Sequence, residues 1–275
     1  MLKFEVRQEI CTQCGLCAKD CPVHIIDLRT GYPRIEADKE GTCIKCQHCL
    51  AICPTAALSI LGQRPEQGQS IKGRLPDPDR MEILIKGRRS VRQYRAENLD
   101  PALIKRLLDV AWQAPTGVNM RQVRFTVIDD RHNLAVFRDE AYRGLAELIE
   151  SGQLPEDKVF FAGFVQAWQD KQVDVLFRGA PHLVVATAPK GIPSPLPDCI
   201  IALAYFELFA QSQEIGTVWN GLVKCTINDL VPRLRNWLNI PEDHCVGYAM
   251  SFGKPAIRYP RTIEKGSAKV MRFSP

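Results

Sequence analysis

The sequence predicts an α+β protein in two unequal parts, and three observations predict it. An internal repeat fills the first 62 residues. A stretch poor in large apolar side chains, GQRPEQGQSIKGRLPDPDR, follows from Gly62 to Arg80. Beyond it, short β-branched apolar runs alternate with helical patterns to the end of the chain. The expected parts are a cysteine-rich domain at 1–62, a linker at 63–80 and a larger domain at 81–275, an α/β sandwich around a central sheet.

The repeat carries the strongest chemical signal. Cys11, Cys14, Cys17 and Cys21 precede Pro22, and Cys43, Cys46, Cys49 and Cys53 precede Pro54. Each copy reads C-x2-C-x2-C-x3-C-P, the bacterial ferredoxin run, whose first three thiolates hold one [4Fe-4S] cluster while the fourth reaches the other. One cluster is therefore expected on Cys11, Cys14, Cys17 and Cys53, and a second on Cys43, Cys46, Cys49 and Cys21. Gly15 lies between two ligands, where a side chain would crowd the cluster and positive φ is accessible. Zinc and a disulfide framework are the alternatives. Zinc does not need a third cysteine or a second copy, and disulfides suit secreted chains. His24 and His48 flank ligands whose number is already complete, so they read as neighbours able to hydrogen-bond. Val23 to Leu28 and Ala56 to Leu61 are expected strands of a pseudo-twofold unit, too small for a self-sufficient core.

Charge and composition exclude other classes. The net charge is +5, residues 1–62 carry 7 basic and 7 acidic side chains, and the excess belongs to the larger part. It is too dispersed for a nucleic-acid stripe but suits an anionic cofactor. No apolar run approaches a membrane span, and MLKFEVRQEI is no signal peptide, so the expectation is a cytoplasmic protein without a membrane. Cys199, Cys225 and Cys245 read as buried small hydrophobes.

In the larger part, Asp100 and Pro101 open an expected helix to Ala114. Val123 to Ile128 reads as a strand, 131–150 and 155–178 as helices, and Leu183 to Ala188 as a strand. Asp198 is expected to cap a long buried helix to Glu214. Thr217 to Asn220 and Cys245 to Phe252 complete the strands, with a helix from Asn228 to Leu238 between them. Trp112, Trp168 and Trp237 read as packing residues. His132, His182 and His244 stand alone and suggest no catalytic base.

Three segments carry candidate binding chemistry. Gly87-Arg88-Arg89-Ser90-Val91-Arg92 concentrates guanidinium forks and a hydroxyl suited to phosphate. Ala114-Pro115-Thr116-Gly117-Val118-Asn119 puts small and polar groups after a helix, where a flat ring could approach backbone. Arg258-Tyr259-Pro260-Arg261 adds two cations. Together they resemble the nitroreductase family of FMN-dependent α+β flavoproteins over residues 81–275, and the whole chain resembles its ferredoxin-fused branch. The resemblance implies a mostly antiparallel central sheet. It implies that Arg88, Arg89 and Ser90 hold the flavin phosphate and that Arg92 reaches the pyrimidine edge. It further implies flavin contacts from Pro115, Thr116, Gly117, Asn119 and Arg121, donated across a homodimer. Gly216-Thr217-Val218-Trp219-Asn220-Gly221 resembles the strand facing N5 and O4, with Trp219, Asn220 and Gly221 at the ring. Gly253-Lys254-Pro255 stands where relatives often have Gly-Tyr-Pro, and Arg258 and Arg261 are the last phosphate contacts. Arg121 replaces the usual glutamine, and Gln122-Val123 replaces a Pro-Trp pair.

The implied activity is an oxidoreductase carrying FMN and two [4Fe-4S] clusters. An external low-potential donor such as ferredoxin loads the clusters, and the flavin reduces a small nitro, quinone or enone acceptor. An electron-transfer module serving a protein partner, and other flavin chemistries such as dehalogenation or oxidation, are the alternatives.

Overall fold

The computed structural model describes residues 1–274, which divide into two compact units. The first comprises Met1–Pro76 with Val118–Met120, the second Asp77–Gly117 with Arg121–Pro275.

In the first unit the order is β1 (Glu5–Val6), α1 (Leu16–Lys19), β2 (Ile26–Asp27), β3 (Arg34–Ile35), α2 (His48–Ala51) and β4 (Leu58–Ser59). β1 pairs antiparallel with β4, and β2 with β3. The strand after each cysteine run thus pairs with the strand before the other run. Three backbone positions repeat at the 32-residue offset in the left-handed region. They are Gln13 and Lys45 (φ 54° and 58°), Gly15 and Gln47 (73° and 61°), and His24 and Ala56 (50° and 55°). Glycine relieves this conformation in the first copy only. Leu2, Ile25, Ile26, Leu58 and Ile60 form a small core with Cys17, Cys21 and Cys49. On β2, Asp27 accepts from Arg29 Nε at 3.0 Å and Arg34 Nε at 3.1 Å, which hold its carboxyl below the usual range.

The second unit begins with α3 (Pro78–Gly87), capped by Asp77, so the last residues of the expected linker are helical. The elements that follow are α4 (Pro101–Ala111), β5 (Arg124–Ile128), α5 (Arg131–Glu150), α6 (Phe160–Lys171), β6 (His182–Pro189), α7 (Pro195–Ser212), β7 (Gly216–Trp219), α8 (Gly221–Cys225), α9 (Leu234–Trp237) and β8 (His244–Gly253). The four strands form one antiparallel sheet in the order β5-β6-β8-β7. β6 is apolar on both faces because both are covered. Leu183 and Val185 pack with α5, α6, α8 and α9, while Val184, Ala186 and Ala188 pack with α4 and α7. No helix among the described residues is long and apolar enough to cross a membrane.

Three expectations are corrected. Asp198 does not cap α7; Ser194 holds that position before Pro195, and Asp198 lies buried in the first turn. The helix expected to reach residue 178 stops at Lys171, where Gln172 turns left-handed at φ 54°. Asp174 then ties down the following loop by accepting from Phe177 N and Gly179 N, both at 2.9 Å. The helix expected over 228–238 is a π-helical turn, Thr226–Leu230, followed by the short α9, because Pro232 interrupts the pattern.

His182 is fully buried, and its Nε2 accepts from Leu99 N at 2.9 Å. Burial lowers its pKa to about 4, below the ordinary 6.5 expected of the unfolded chain. The unfolded state therefore binds the extra proton between those values, so stability is lost as pH falls through this window. Urea unfolding followed by tryptophan fluorescence reports on this unit, since all four tryptophans lie in it. Relative to His182→Gln, which keeps an acceptor for Leu99, the wild type is expected to lose about 2 kcal/mol between pH 7 and pH 5. Parallel pH profiles would refute this role.

Candidate functional site

The eight repeat cysteines ring two cavities in the first unit. Cys11, Cys14, Cys17 and Cys53 line one with Gly15, Thr55 and Leu58. Cys21, Cys43, Cys46 and Cys49 line another with Ile26, Ile35 and His48. Each cavity is thus ringed by three thiols of one run and the fourth of the other. The helical turns α1 and α2 direct Cys17 and Cys49 inward, where both are buried. Backbone amides turn toward sulfur as well: Ala57 N donates to Cys53 Sγ at 3.2 Å, and Lys45 N to Cys43 Sγ at 3.4 Å. The Leu16 N–H holds the Cys14 thiol below its ordinary pKa, whereas burial pushes Cys17 up and Cys49 up to about 12. All eleven cysteines are free. Among the described residues, no His, Cys, Asp or Glu side chains gather closely enough to hold a single ion. His48 Nδ1 sits 3.2 Å from Asp20 Oδ2, while His24 does not line either cavity.

In the second unit the basic segment is laced into the sheet edge. Ser90 bridges Thr217 in parallel, Val91 N donates to Thr217 O at 2.9 Å, and Arg95 N donates to Lys254 O at 2.9 Å. Gly216 permits this approach, because a Cβ there would lie 2.6 Å from Val91 Cγ2. Beside it opens a cleft of about 320 Å³, lined among others by Arg89, Arg95, Glu214, Lys254, Arg258 and Tyr259. Arg89 donates from Nη1 to the carbonyls of Lys86 and Arg88, at 2.9 and 2.6 Å. Its Nη2 is buried without a partner. Such an orphaned donor is costly unless a ligand meets it. Arg88 instead pairs with Glu207 at 3.1 Å. Arg92 is exposed and reaches only Ser90 O at 3.3 Å, and Arg261 is exposed.

The segment after α4 divides. Gly117 N donates to Asp198 Oδ1 at 3.0 Å, and a Cβ on Gly117 would meet Ser194 Oγ at 2.8 Å. Asp198 Oδ2 is buried and unpartnered. Thr116 Oγ1 accepts from Arg121 N at 2.9 Å, and Pro115 is exposed. Arg121 folds back on the helix it follows: Nη2 donates to Trp112 O at 2.9 Å, with the guanidinium 5.0 Å from the Trp112 ring. Asn119 belongs to the first unit, where Nδ2 donates to Ile44 O at 2.8 Å.

On β7, Trp219 is half-buried edge-on to Tyr248 and donates from Nε1 to Glu207 Oε2 at 3.0 Å. Asn220 is buried with its side chain fully engaged. Nδ2 donates to Leu176 O and Ser251 Oγ, and Oδ1 accepts from Val223 N to cap α8. Gly221, at the start of α8, lies against the Tyr248 hydroxyl. Sequence reasoning missed Arg95, Glu207 and the role of Gly216. A lone acid in an otherwise apolar helix was the available signal for Glu207.

Residues 85–254 match the model of the Nitroreductase family. The chain belongs to the nitroreductase family. Residues 10–58 match the 4Fe-4S dicluster domain, so this member carries an iron-sulfur ferredoxin-type domain in front. A protein of Methanothermobacter thermautotrophicus named as an NADH dehydrogenase/NAD(P)H nitroreductase is 26% identical over 191 residues, covering 68% of this chain and 82% of that one. Among solved structures, a Bacteroides fragilis nitroreductase with bound FMN superposes with a TM-score of 0.56 at 21% identity, covering 70% of this chain and 98% of its own. A Desulfitobacterium hafniense nitroreductase with bound FMN gives 0.55 at 21% identity, with coverage of 70% and 98%. Both likenesses carry the fold of the second unit.

Proposed function

We propose that this family member is an FMN-dependent oxidoreductase in which two [4Fe-4S] clusters relay electrons to the flavin, and the flavin reduces a small organic acceptor of nitro, quinone or enone type. The observation that carries the reading is the pair of thiol-ringed cavities, each completed by the fourth cysteine of the other run, in a nitroreductase-family chain. Four thiol donors around each cavity suit a polynuclear iron-sulfur core, and inward N–H groups suit its sulfurs.

The second unit fits an anionic flavin nucleotide. The unpartnered Arg89 Nη2 is a donor awaiting an acceptor, and Arg95 and Arg258 line the same cleft. Ser90 follows Arg89 in the chain and carries a hydroxyl, and Arg258 and Arg261 supply cations from the chain after β8. Arg92, exposed and weakly held, is free to swing to the pyrimidine edge. Bound there, FMN would supply the exchange between single electrons and a hydride. The chain's own residues bind, orient and shield. Gly216 lets the basic segment lie against β7, and Gly117 lets the loop after α4 close on α7.

A homodimer is supported by exposed apolar residues on one unit, Leu196, Ile200, Tyr205 and Trp112, which a second copy would cover. An external low-potential donor such as ferredoxin supplies the electrons. The cytoplasm suits eight thiols that must stay reduced.

The test is anaerobic. The purified chain is expected to contain iron, sulfide and FMN, and reduced ferredoxin is expected to bleach the flavin absorbance without NAD(P)H. Intact clusters with no bleaching would refute the relay, and a colourless protein after reconstitution would refute the whole reading.

A further inference from the structure

Three of the four residues from Val118 to Arg121 are left-handed, at φ 43° for Val118, 55° for Asn119 and 50° for Arg121. Asparagine accepts that region readily, whereas a β-branched residue does so only under constraint. The excursion buries no apolar side chain, because Val118 and Met120 are both exposed. Instead it carries one side-chain bond. Val118–Met120 groups with the first unit, and there Asn119 Nδ2 donates to Ile44 O at 2.8 Å.

The other end of that peptide group faces a cluster ligand. Ile44 O and Lys45 N share one peptide plane, and Lys45 N donates to Cys43 Sγ at 3.4 Å. Asn119, the peptide and the Cys43 sulfur thus form two hydrogen bonds in series. A donor on the carbonyl polarises the peptide and strengthens its N–H toward sulfur. Donation to sulfur favours the reduced, more negative cluster and so raises its potential. The corresponding peptide of the first run, Thr12–Gln13, makes neither bond among the described residues.

We propose that Asn119 is a positioning residue that acts through the Ile44–Lys45 peptide to raise the reduction potential of the cluster on Cys43, Cys46, Cys49 and Cys21, so that an electron entering the repeat settles there. The two copies, alike in spacing, thereby become unequal in potential. The proposal rests on the two-cluster part of the reading above and needs no flavin. It leaves the flavin contact implied for Asn119 open, because one bond from Nδ2 leaves that amide a second hydrogen and its Oδ1 acceptor.

The test uses the full chain loaded anaerobically with iron and sulfide, reduced by dithionite at set potentials and followed by electron paramagnetic resonance. Each cluster takes up one electron from the dithionite. Asn119→Gly removes the amide and keeps the left-handed conformation accessible. It is expected to shift the electron about three- to tenfold toward the first cluster, or about 30 to 60 mV at about 59 mV per tenfold. Asn119→Asp cannot donate to Ile44 O and adds negative charge, so its shift is expected to be at least as large; should Asn119→Gly load less iron than wild type, Asn119→Asp decides. Single-cluster backgrounds locate the effect. Cys53→Ser leaves the second cluster, where Asn119→Gly is expected to lower the potential; Cys21→Ser leaves the first, where it is expected to change nothing. Equal shifts in the two backgrounds, or none in Cys53→Ser, would overturn this inference alone. A wild-type chain that loads fewer than two clusters would overturn the proposed relay together with it.

Discussion

Cys21→Ser is expected to empty the cavity formed by Cys43, Cys46 and Cys49, although Cys21 follows Cys17 in sequence. Iron in the anaerobically reconstituted protein should fall from about eight to about four atoms per chain, as for a two-cluster domain losing one. Single variants cannot separate crossed from local ligation, but pairs can. Cys21→Ser with Cys46→Ser strikes one cavity twice and should still leave about four irons; Cys21→Ser with Cys14→Ser strikes both and should leave almost none. Local ligation inverts these outcomes. The reasoning is geometric: the residues lining each cavity are mixed between the runs.

Gly216→Ala is the second large effect. The added methyl carbon would lie 2.6 to 2.9 Å from all three side-chain carbons of Val91, and Val91 is buried with little room to retreat. Overpacking of this kind costs about 1–3 kcal/mol. The strain is expressed where Val91 N and Ser90 pair with Thr217, so the basic segment is expected to lift from β7. The measurable results are a lower urea midpoint and at least tenfold weaker FMN binding. Val91→Ala in the same background restores the space and is expected to recover most of both. A variant that binds FMN as wild type would show that the segment does not depend on this contact.

These predictions separate what could be read in the chain from what could not. β5, β6 and β7 were legible because each holds β-branched residues in a short run, and β8 because Cys245 to Phe252 is mostly apolar. α4 was legible from Asp100 and Pro101 at its start. The end of α6 was not, because the pattern of Phe161, Val165 and Trp168 continues into residues that Asp174 holds as turns. The π-helical turn before Pro232 escaped notice because it keeps near-helical spacing of apolar residues. Asp198 looked like a cap because it precedes an apolar run, yet Pro195 had already started the helix. In the candidate site, the cysteines are read directly from spacing. The basic residues of 88–92 read as one group, but Arg88 pairs with Glu207 while Arg89 lines the cleft, and only tertiary partners reveal the difference. Glu207 becomes meaningful only when β7 places Thr217 and Trp219 beside it.

The matched left-handed positions of the front unit have a further consequence. Gly15 adopts its φ of 73° without a Cβ to resist it, whereas Gln47, its counterpart, sits at 61° and opposes that conformation by about 1 kcal/mol. The two halves are alike in shape but unequal in ease. The first holds two non-glycine residues in the left-handed region at the matched positions, Gln13 and His24, and the second holds three, Lys45, Gln47 and Ala56. Under oxidative attack, the half that carries Gln47 in place of a glycine is expected to open first.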